Sequence, residues 1–301
     1  GLASMGSSIP YNNPIVFPYK LSLAQFSLFR LEMSRKVDPM DFAKISSDLG
    51  FSGLEYLQMS YTGGLLREKK KTSLNGIKKL AKDLNSRASD YNQKNILIMI
   101  DIGPDLGAYV DDYDDYHSWI DCASEMKCHS VRVNLRGSDE NLSDWSKNSI
   151  NNLSKLCEYA KPLDINIIVE NHGGFSSNAD YLVNVIENVG HNNIGTLPDF
   201  GNFCIKRVEG DLYESDCVKE YDRYKGIKEM MPKAFAVSAK SNNFNNKGDE
   251  VYTDYLKMLK IVKESGYTGY IGVEYEGTGL SEIDGILATK NLLINKGKLI
   301  T

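Results

Sequence analysis

Short apolar runs alternate with longer amphipathic stretches along most of the chain, and this alternation predicts the fold class. The short runs have the length and the apolar or alternating character of β-strands, and the stretches after them carry apolar residues at helical spacing. The predicted strands are Lys20–Ser27, Gly53–Leu57, Ile96–Ile102, Ser130–Leu135, Ile165–Glu170, Ile194–Phe200, Ala234–Lys240 and Gly269–Glu276. The predicted helices are Pro39–Leu49, Ser73–Tyr91, Asp111–Met126, Asp144–Ala160, Asn178–Val189, Tyr213–Met231, Tyr252–Glu264 and Glu282–Ile294.

Eight strand-then-helix units in a row are typical of an α/β protein with a parallel sheet. An open doubly wound sheet is the alternative, but the number of units and the absence of a GxGxxG motif after the first strand favour a single (β/α)₈ TIM barrel. Residues 1–19 are rich in Gly, Ser, Asn and Pro and are interpreted as a flexible leader. The predicted barrel domain is therefore 20–301.

Charge and hydropathy exclude several kinds of partner. The formal net charge of the 301 residues is -5, so neither nucleic acid nor an anionic membrane surface would be attracted overall. No stretch approaches the roughly 20 apolar residues that cross a bilayer. We therefore expect a small-molecule ligand, with no nucleic-acid and no membrane partner, and leave homo-oligomer formation open.

The five cysteines form no CxxC pair, and their number is odd. This spacing favours reduced and mostly buried thiols over a disulfide framework or a Cys-rich zinc site. The chain begins Gly-Leu-Ala-Ser-Met, and a removed export signal would leave no trace in it. Cytoplasmic and periplasmic localisation therefore both stay open.

Three predicted strands carry, at or near their carboxyl ends, a carboxylate that directly follows apolar residues. They are Glu170 on the fifth strand, Asp199 on the sixth and Glu274 on the eighth. Because the chemistry of such a barrel is found where strands end and βα loops begin, the three side chains should share one mouth. Three carboxylates at one rim suit a divalent cation, whereas separate salt bridges or helix caps are the alternative.

Other polar residues near the same strand ends are candidates for binding a hydroxyl-rich ligand. His172 follows Glu170 by two positions and points the same way along an extended chain. Arg132 and Asn134 share one face of the fourth strand, and Lys240 ends the seventh. Cationic and amide side chains of this kind donate to substrate oxygens. We add Asn202 and Glu276, which follow Asp199 and Glu274, to the predicted substrate-binding residues.

Four segments together resemble the xylose isomerase-like TIM-barrel superfamily, which includes sugar isomerases, keto-sugar 3-epimerases, inositol-pathway enzymes and endonuclease IV. The segments are VENHGG at Val169–Gly174, LPDFGNF at Leu197–Phe203, AVSAKS at Ala236–Ser241 and GYIGVEYEG at Gly269–Gly277. The resemblance extends from about Lys20 to Ile294. It identifies the superfamily by the combination and order of segments, without specifying one reaction.

The resemblance implies a metal centre with one departure from the usual ligands. Members of the family typically hold a metal with Glu, Asp, His and Glu, and three of these fall on Glu170, Asp199 and Glu274. The expected histidine position is occupied by Ser238, and Asn202 stands where many members carry another histidine. Loss of the imidazole favours Mg²⁺ or Mn²⁺ over Zn²⁺, or a weakly held metal. His172 as a substitute ligand is an open alternative.

By the same resemblance, the implied function is a metal-dependent isomerase or epimerase of a sugar or a polyol-derived ketone. Glu170 and Glu274 would face opposite sides of the substrate, one removing a proton next to a carbonyl and the other returning one. A dehydratase or lyase acting through the same enediolate is one alternative, and a non-catalytic sugar-binding barrel is another. The nuclease branch is disfavoured because it needs a histidine-rich zinc site, and this chain has four histidines.

Overall fold

The chain folds into a (β/α)₈ barrel, seen here in a computed structural model that describes residues 17–62, 74–137 and 141–300. The strands are β1 Lys20–Ala24, β2 Gly53–Leu57, β3 Lys94–Met99, β4 Ser130–Val133, β5 Asn166–Glu170, β6 Ile194–Leu197, β7 Cys204–Arg207, β8 Cys217–Glu220, β9 Val237–Ser241 and β10 Tyr270–Tyr275. The helices are α1 Phe29–Met33, α2 Phe42–Asp48, α3 Gln58–Thr62, α4 Leu74–Asp90, α5 Asp114–Glu125, α6 Leu142–Ala160, α7 Ala179–Val189, α8 Arg223–Met230, α9 Tyr255–Glu264 and α10 Glu282–Gly297.

Eight parallel strands form the barrel wall in the order β6-β5-β4-β3-β2-β1-β10-β9. Two parallel bridges, Thr196 to Ala234 and Asp199 to Ser238, connect β6 to β9 and close the circle. The single-barrel prediction is confirmed, with β9 and β10 as the seventh and eighth predicted strands. None of the helices in the described ranges is long and apolar enough to cross a membrane.

Side chains alternate between the two sides of the wall, and this alternation positions the site. On β5, Ile167 and Val169 belong to the apolar layer between strands and helices, whereas Ile168 belongs to the smaller cluster inside the barrel. Glu170 is the next inward position after Ile168. Along β5 the inside is therefore apolar at mid-height and becomes charged at the carboxyl end of the strand.

The segment after β6 differs from the prediction. Instead of a helix starting at Tyr213, β7 and β8 form an antiparallel hairpin, and α8 begins only at Arg223, capped by Asp222. The hairpin strands are four residues long, and the residues of β8 are all exposed, so no buried periodicity identifies them. Local sequence pattern could not reveal a pairing that is made mainly by backbone groups.

The cysteine prediction was wrong for two of the five residues. Cys204, the first residue of β7, and Cys217, the first residue of β8, are joined by a disulfide. Cys122, Cys128 and Cys157 are free and buried, as expected. In the hairpin register Cys204 lies opposite Glu220 and Cys217 lies opposite Arg207, so the disulfide crosses the two strands diagonally, which cysteine spacing alone did not show.

The observed end of β1 also differs from the predicted one. β1 ends at Ala24 rather than Ser27, because Gln25–Leu28 form a 3-10 helix in which Gln25 Oε1 accepts from the backbone N–H of Leu57 at 2.9 Å. Of the predicted leader, 1–16 lie outside the described residues. Phe17 and Tyr19 pack against the apolar layer of the barrel.

Glu55 is a buried carboxyl group inside the barrel, below the charged rim, and it predicts a pH effect on stability. Its Oε1 accepts from Ser22 at 2.6 Å, and burial raises its pKa to about 7. A raised folded-state pKa means that the folded protein binds more protons than the unfolded chain, so this group's contribution to stability falls as pH rises from about 4.5 to 7.

We expect Glu55→Gln to increase the free energy of unfolding at pH 8 by about 3 kcal/mol, since each pKa unit corresponds to about 1.4 kcal/mol. Below pH 4.5 the variant and the wild type should be equally stable, because both carry a neutral side chain there. Urea unfolding across this pH range measures the difference. A constant difference at all pH values would show that Glu55 does not titrate in this window.

Candidate active site

Three carboxylates meet at the carboxyl ends of the strands, as their strand positions predicted. Glu170 ends β5, Asp199 follows β6, and Glu274 lies near the end of β10. Each offers an oxygen, and these oxygens all lie within 4.8 Å of one another. All three residues are buried, with at most 5% of their surface exposed. Placing three acids so close in a buried site requires protonation or positive charge nearby.

Ser238 and Lys240 on β9 lie against two of these acids. The Ser238 hydroxyl lies 2.8 Å from Asp199 Oδ2 and 3.1 Å from Glu274 Oε2. Lys240 Nζ lies 3.7 Å and 3.6 Å from the same two oxygens and 2.9 Å from Glu276 Oε1. Ser238 thus faces the carboxylates from the position where the resemblance implied a histidine, and Lys240 supplies a positive charge to this side of the cluster.

Arg132 provides the positive charge on the other side. Its Nε lies 2.9 Å from Glu170 Oε2, and its Nη1 donates to Asp101 Oδ1 at 2.7 Å. Asp101 also accepts from Asn134 Nδ2 at 2.9 Å. Sequence reasoning missed Asp101, although it follows the apolar end of β3 in the same way that Asp199 follows β6. Two of the predicted substrate-binding residues, Arg132 and Asn134, are therefore held by an acid that was not predicted.

The pKa values of the three central acids shift upward, and burial is the largest cause for each. The pKa of Glu170 is raised well above its ordinary value, that of Glu274 rises to about 7, and that of Asp199 is also raised. Arg132 opposes the shift most strongly at Glu170, and Lys240 does so at Asp199 and Glu274. Glu274 is consequently poised to exchange a proton near neutral pH.

Short loops after β5 and β6 orient the acids. Asp199 Oδ1 accepts the backbone N–H groups of Gly201 and Asn202, at 2.8 Å and 2.9 Å. The Asn202 side chain donates to Glu170 Oε1 at 3.1 Å. Asn171 Oδ1 accepts the N–H of Asp199 at 2.8 Å. Asn202, predicted to bind substrate, thus already links two carboxylates in this structure.

His172 lies at the mouth but outside the carboxylate cluster. Its Nδ1 lies 3.1 Å from the hydroxyl of Tyr213, a residue of the hairpin between β7 and β8. Burial lowers its pKa to about 3, with smaller contributions from the charges of Lys240 and Arg132. Among the described residues, the group suited to a metal consists of the three carboxylates alone. His172 therefore fits a polar wall of the pocket better than a fourth ligand position.

The carboxylate cluster suits a hard divalent cation. Its donors are all oxygens, which Mg²⁺ and Mn²⁺ prefer. Among the described residues, five carboxyl groups at the mouth, Asp101, Glu170, Asp199, Glu274 and Glu276, form ion pairs with two cationic side chains, Arg132 and Lys240, and Arg136 donates to the backbone carbonyl of Asp101. An added cation would offset the remaining negative charge. Lys240 and Ser238 occupy the side where the resemblance implied a nitrogen ligand.

Solved structures share this fold at low sequence identity. A sugar phosphate isomerase/epimerase from Parabacteroides distasonis ATCC 8503 is 16% identical, with a TM-score of 0.65 over 95% of this chain and 98% of that one. D-psicose 3-epimerase from Clostridium cellulolyticum H10, solved with D-tagatose, is 12% identical, with a TM-score of 0.60 over 93% and 96% of the two chains. A xylose isomerase-like TIM barrel protein from Mycobacterium smegmatis, in complex with magnesium, is 16% identical, with a TM-score of 0.58 over 87% and 89%.

The family assignment comes from the sequence match. No curated protein matches the sequence. Residues 43–294, most of the barrel, match the family described as xylose isomerase-like TIM barrel. With the eight parallel strands and the shared mouth of acids, the chain belongs to the xylose isomerase-like TIM barrel family.

Proposed function

We propose that this protein is a metal-dependent isomerase or epimerase that moves a proton next to the carbonyl of a sugar or a polyol-derived ketone. The observation that carries the proposal is the pair of buried acids Glu170 and Glu274 within one cluster, both with raised pKa values. Two buried carboxyl groups with raised pKa values can hold a proton and return it, which proton transfer next to a carbonyl requires. The sugar isomerase and epimerase neighbours of the same fold support this reaction class.

The two acids differ in their partners, which gives them separate roles in the proposal. Glu170 contacts Arg132 and Asn202, and Glu274 contacts Ser238 and Lys240. One removes the proton next to the carbonyl to form an enediolate, and the other returns a proton on the opposite side. Both proton transfers use buried carboxyl groups. Small changes in the surrounding charge therefore determine which of the two acids holds the proton.

Glu170, Asp199 and Glu274 would hold the metal, with Mg²⁺ or Mn²⁺ fitting the oxygen donors better than Zn²⁺. When bound, the metal would polarise the substrate carbonyl and stabilise negative charge on its oxygen. Six further side chains at the mouth would orient the substrate hydroxyls: Arg132, Asn134, His172, Asn202, Lys240 and Glu276. Lys240 and Arg132 donate as cations, and Glu276 and the amides complete the polar lining.

A non-catalytic sugar-binding barrel is the second candidate, and the position of Lys240 favours it. The ammonium group lies within 3.7 Å of Asp199, Glu274 and Glu276, so it already neutralises part of the charge that a metal would balance. A dehydratase or lyase stays a variant of the leading proposal, since loss of water can start from the same enediolate.

The proposed function is tested by proton exchange with D₂O. Keto-sugars and inositol-derived ketones are incubated with the protein and Mn²⁺, Mg²⁺ or Zn²⁺, and deuterium incorporation is followed by NMR. Metal-dependent exchange next to a carbonyl supports the isomerase or epimerase. Loss of water from a deuterated substrate would identify a lyase. Stoichiometric binding of sugars without exchange under any metal would support the binding barrel.

A further inference from the structure

The hairpin formed by β7 and β8 carries an exposed aromatic residue to the rim of the pocket. Tyr213, in the loop between the two strands, keeps 47% of its surface exposed. Its ring centroid lies 4.8 Å from that of His172, and its hydroxyl lies 3.1 Å from His172 Nδ1. A half-exposed aromatic ring beside a polar pocket is a surface on which the apolar face of a sugar can pack.

The loop around Tyr213 is held in a defined conformation. Asp211 Oδ1 accepts the N–H of Tyr213 at 2.9 Å, and Arg207 Nε donates to the carbonyl of Leu212 at 3.0 Å. Gly173, with a φ of +85°, lies beneath the loop. A Cβ atom there would come within 3.1 Å of both Leu212 O and the Tyr213 ring. The backbone after Glu170 and the hairpin loop therefore fit closely against each other.

The disulfide links the two strands of the hairpin. It joins Cys204 to Cys217, so the loop that carries Tyr213 is tied at both ends. Cys204 comes two residues after Asn202, which itself contacts Glu170. The disulfide therefore begins two residues after the loop segment that orients the acids.

Several charged residues of the site act on the phenol of Tyr213. Burial raises the pKa of its phenol, and Arg136, Asp101, Arg132 and Glu170 all act on it. These residues belong to or adjoin the charged half of the mouth, from β3 to β5. This agrees with the direct contact to His172 and with the position of the hairpin over the end of β5.

We propose that Tyr213 is a specificity-determining residue whose ring packs against one face of the bound sugar or polyol, held in place by the disulfide-bonded hairpin. The ligand class rests on the proposed function, but the contact itself does not require catalysis. Tyr213 and His172 form a single wall, in which the histidine orients the phenol and the ring excludes water from one side of the ligand.

The test is equilibrium binding by calorimetry with D-tagatose, D-fructose and an inositol-derived ketone as probes, each with Mn²⁺. Tyr213→Ala should weaken binding of the best probe by about tenfold, which corresponds to about 1.4 kcal/mol of lost contact. Tyr213→Phe keeps the ring and should stay within about threefold of the wild type. Tyr109→Ala is the matched control, because Tyr109 is exposed on another rim loop and should change nothing.

The role of the disulfide is tested on the wild type and on a variant. Reduction of the folded protein, and Cys204→Ser with Cys217→Ser, should each weaken probe binding to about the level of Tyr213→Ala. Adding Tyr213→Ala to the reduced protein should then have little further effect. If proton exchange is measurable, these changes should raise KM and leave kcat nearly unchanged, because the ring binds substrate and transition state equally.

The outcomes separate this inference from the proposed function. Binding that depends on Tyr213 without any proton exchange would overturn the isomerase or epimerase and keep the inference. Wild-type affinity in Tyr213→Ala would overturn the inference and leave the function intact. Full affinity after reduction would overturn the role of the disulfide. Failure of every probe to bind the wild type would overturn the assignment of Tyr213 to a sugar or polyol pocket.

Discussion

Glu170→Gln is expected to lower the rate of substrate proton exchange by about 10² to 10⁴, the range typical for loss of a general acid or base. The substitution keeps the shape of the side chain and removes both its proton-accepting oxygen and its negative charge. Glu274→Gln should have a similar effect. The double variant should lose little more than either single one, because both acids serve one proton-transfer process.

The matched control is Glu55→Gln, another buried carboxyl group inside the barrel that lies outside the cluster of three. Its exchange rate should equal that of the wild type. Urea unfolding of each variant checks that the fold is retained. Near-normal exchange by a folded Glu170→Gln protein would remove Glu170 from the mechanism.

Ser238→His is expected to tighten binding of Zn²⁺ or Co²⁺ by at least tenfold, or about 1.4 kcal/mol. The Ser238 hydroxyl already lies within 3.1 Å of Asp199 and Glu274, so an imidazole at this position would add a nitrogen donor to three carboxylates. Preference should shift from Mg²⁺ towards Zn²⁺. Exchange activity should fall if the new ligand fills a coordination position that the substrate needs.

Calorimetric titration of wild type and variant with Mn²⁺ and Zn²⁺ measures this change. Ser238→Ala is the control, because it removes the hydroxyl without adding a ligand and should not tighten Zn²⁺ binding. We do not expect His172 to crowd the new histidine, since its Nδ1 is directed to Tyr213. Unchanged affinity for both ions in a folded Ser238→His protein would show that residue 238 does not face the bound metal.

The Glu170→Gln experiment tests proton transfer by the carboxylate cluster, and the Ser238→His experiment tests metal binding by the same cluster. Lys240 lies close to Asp199, Glu274 and Glu276, and Arg132 pairs with Glu170 and Asp101. In a buried site these cations lower the cost of keeping the acids ionised, as a metal would. A Ser238→His protein that binds zinc, compared with a wild type that binds none, would show that the absence of the imidazole prevents zinc binding by the three carboxylates.

Periodicity along the chain by itself determined the eight units of the barrel. Runs such as Ile96–Ile100 are apolar on both faces, because one face contacts helices and the other fills the barrel. The positions of Glu170, Asp199 and Glu274 near the carboxyl ends of predicted strands also predicted that they would share a mouth, and the structure brings their oxygens within 4.8 Å. Ser238 was placed at the site only by the resemblance to the family, which expects a histidine two residues before Lys240.

Tertiary structure alone decided which charged side chains pair at the site and which segment lies over it. Asp101 belongs to the site because Arg132, one strand away, extends between it and Glu170, and such a diagonal contact has no signature in local sequence. The hairpin, the disulfide and Tyr213 were missed because β7 and β8 are short and β8 is exposed, so they carry no buried pattern. Pairing of backbone groups and packing against Gly173 position that segment, and both depend on contacts between residues distant in sequence.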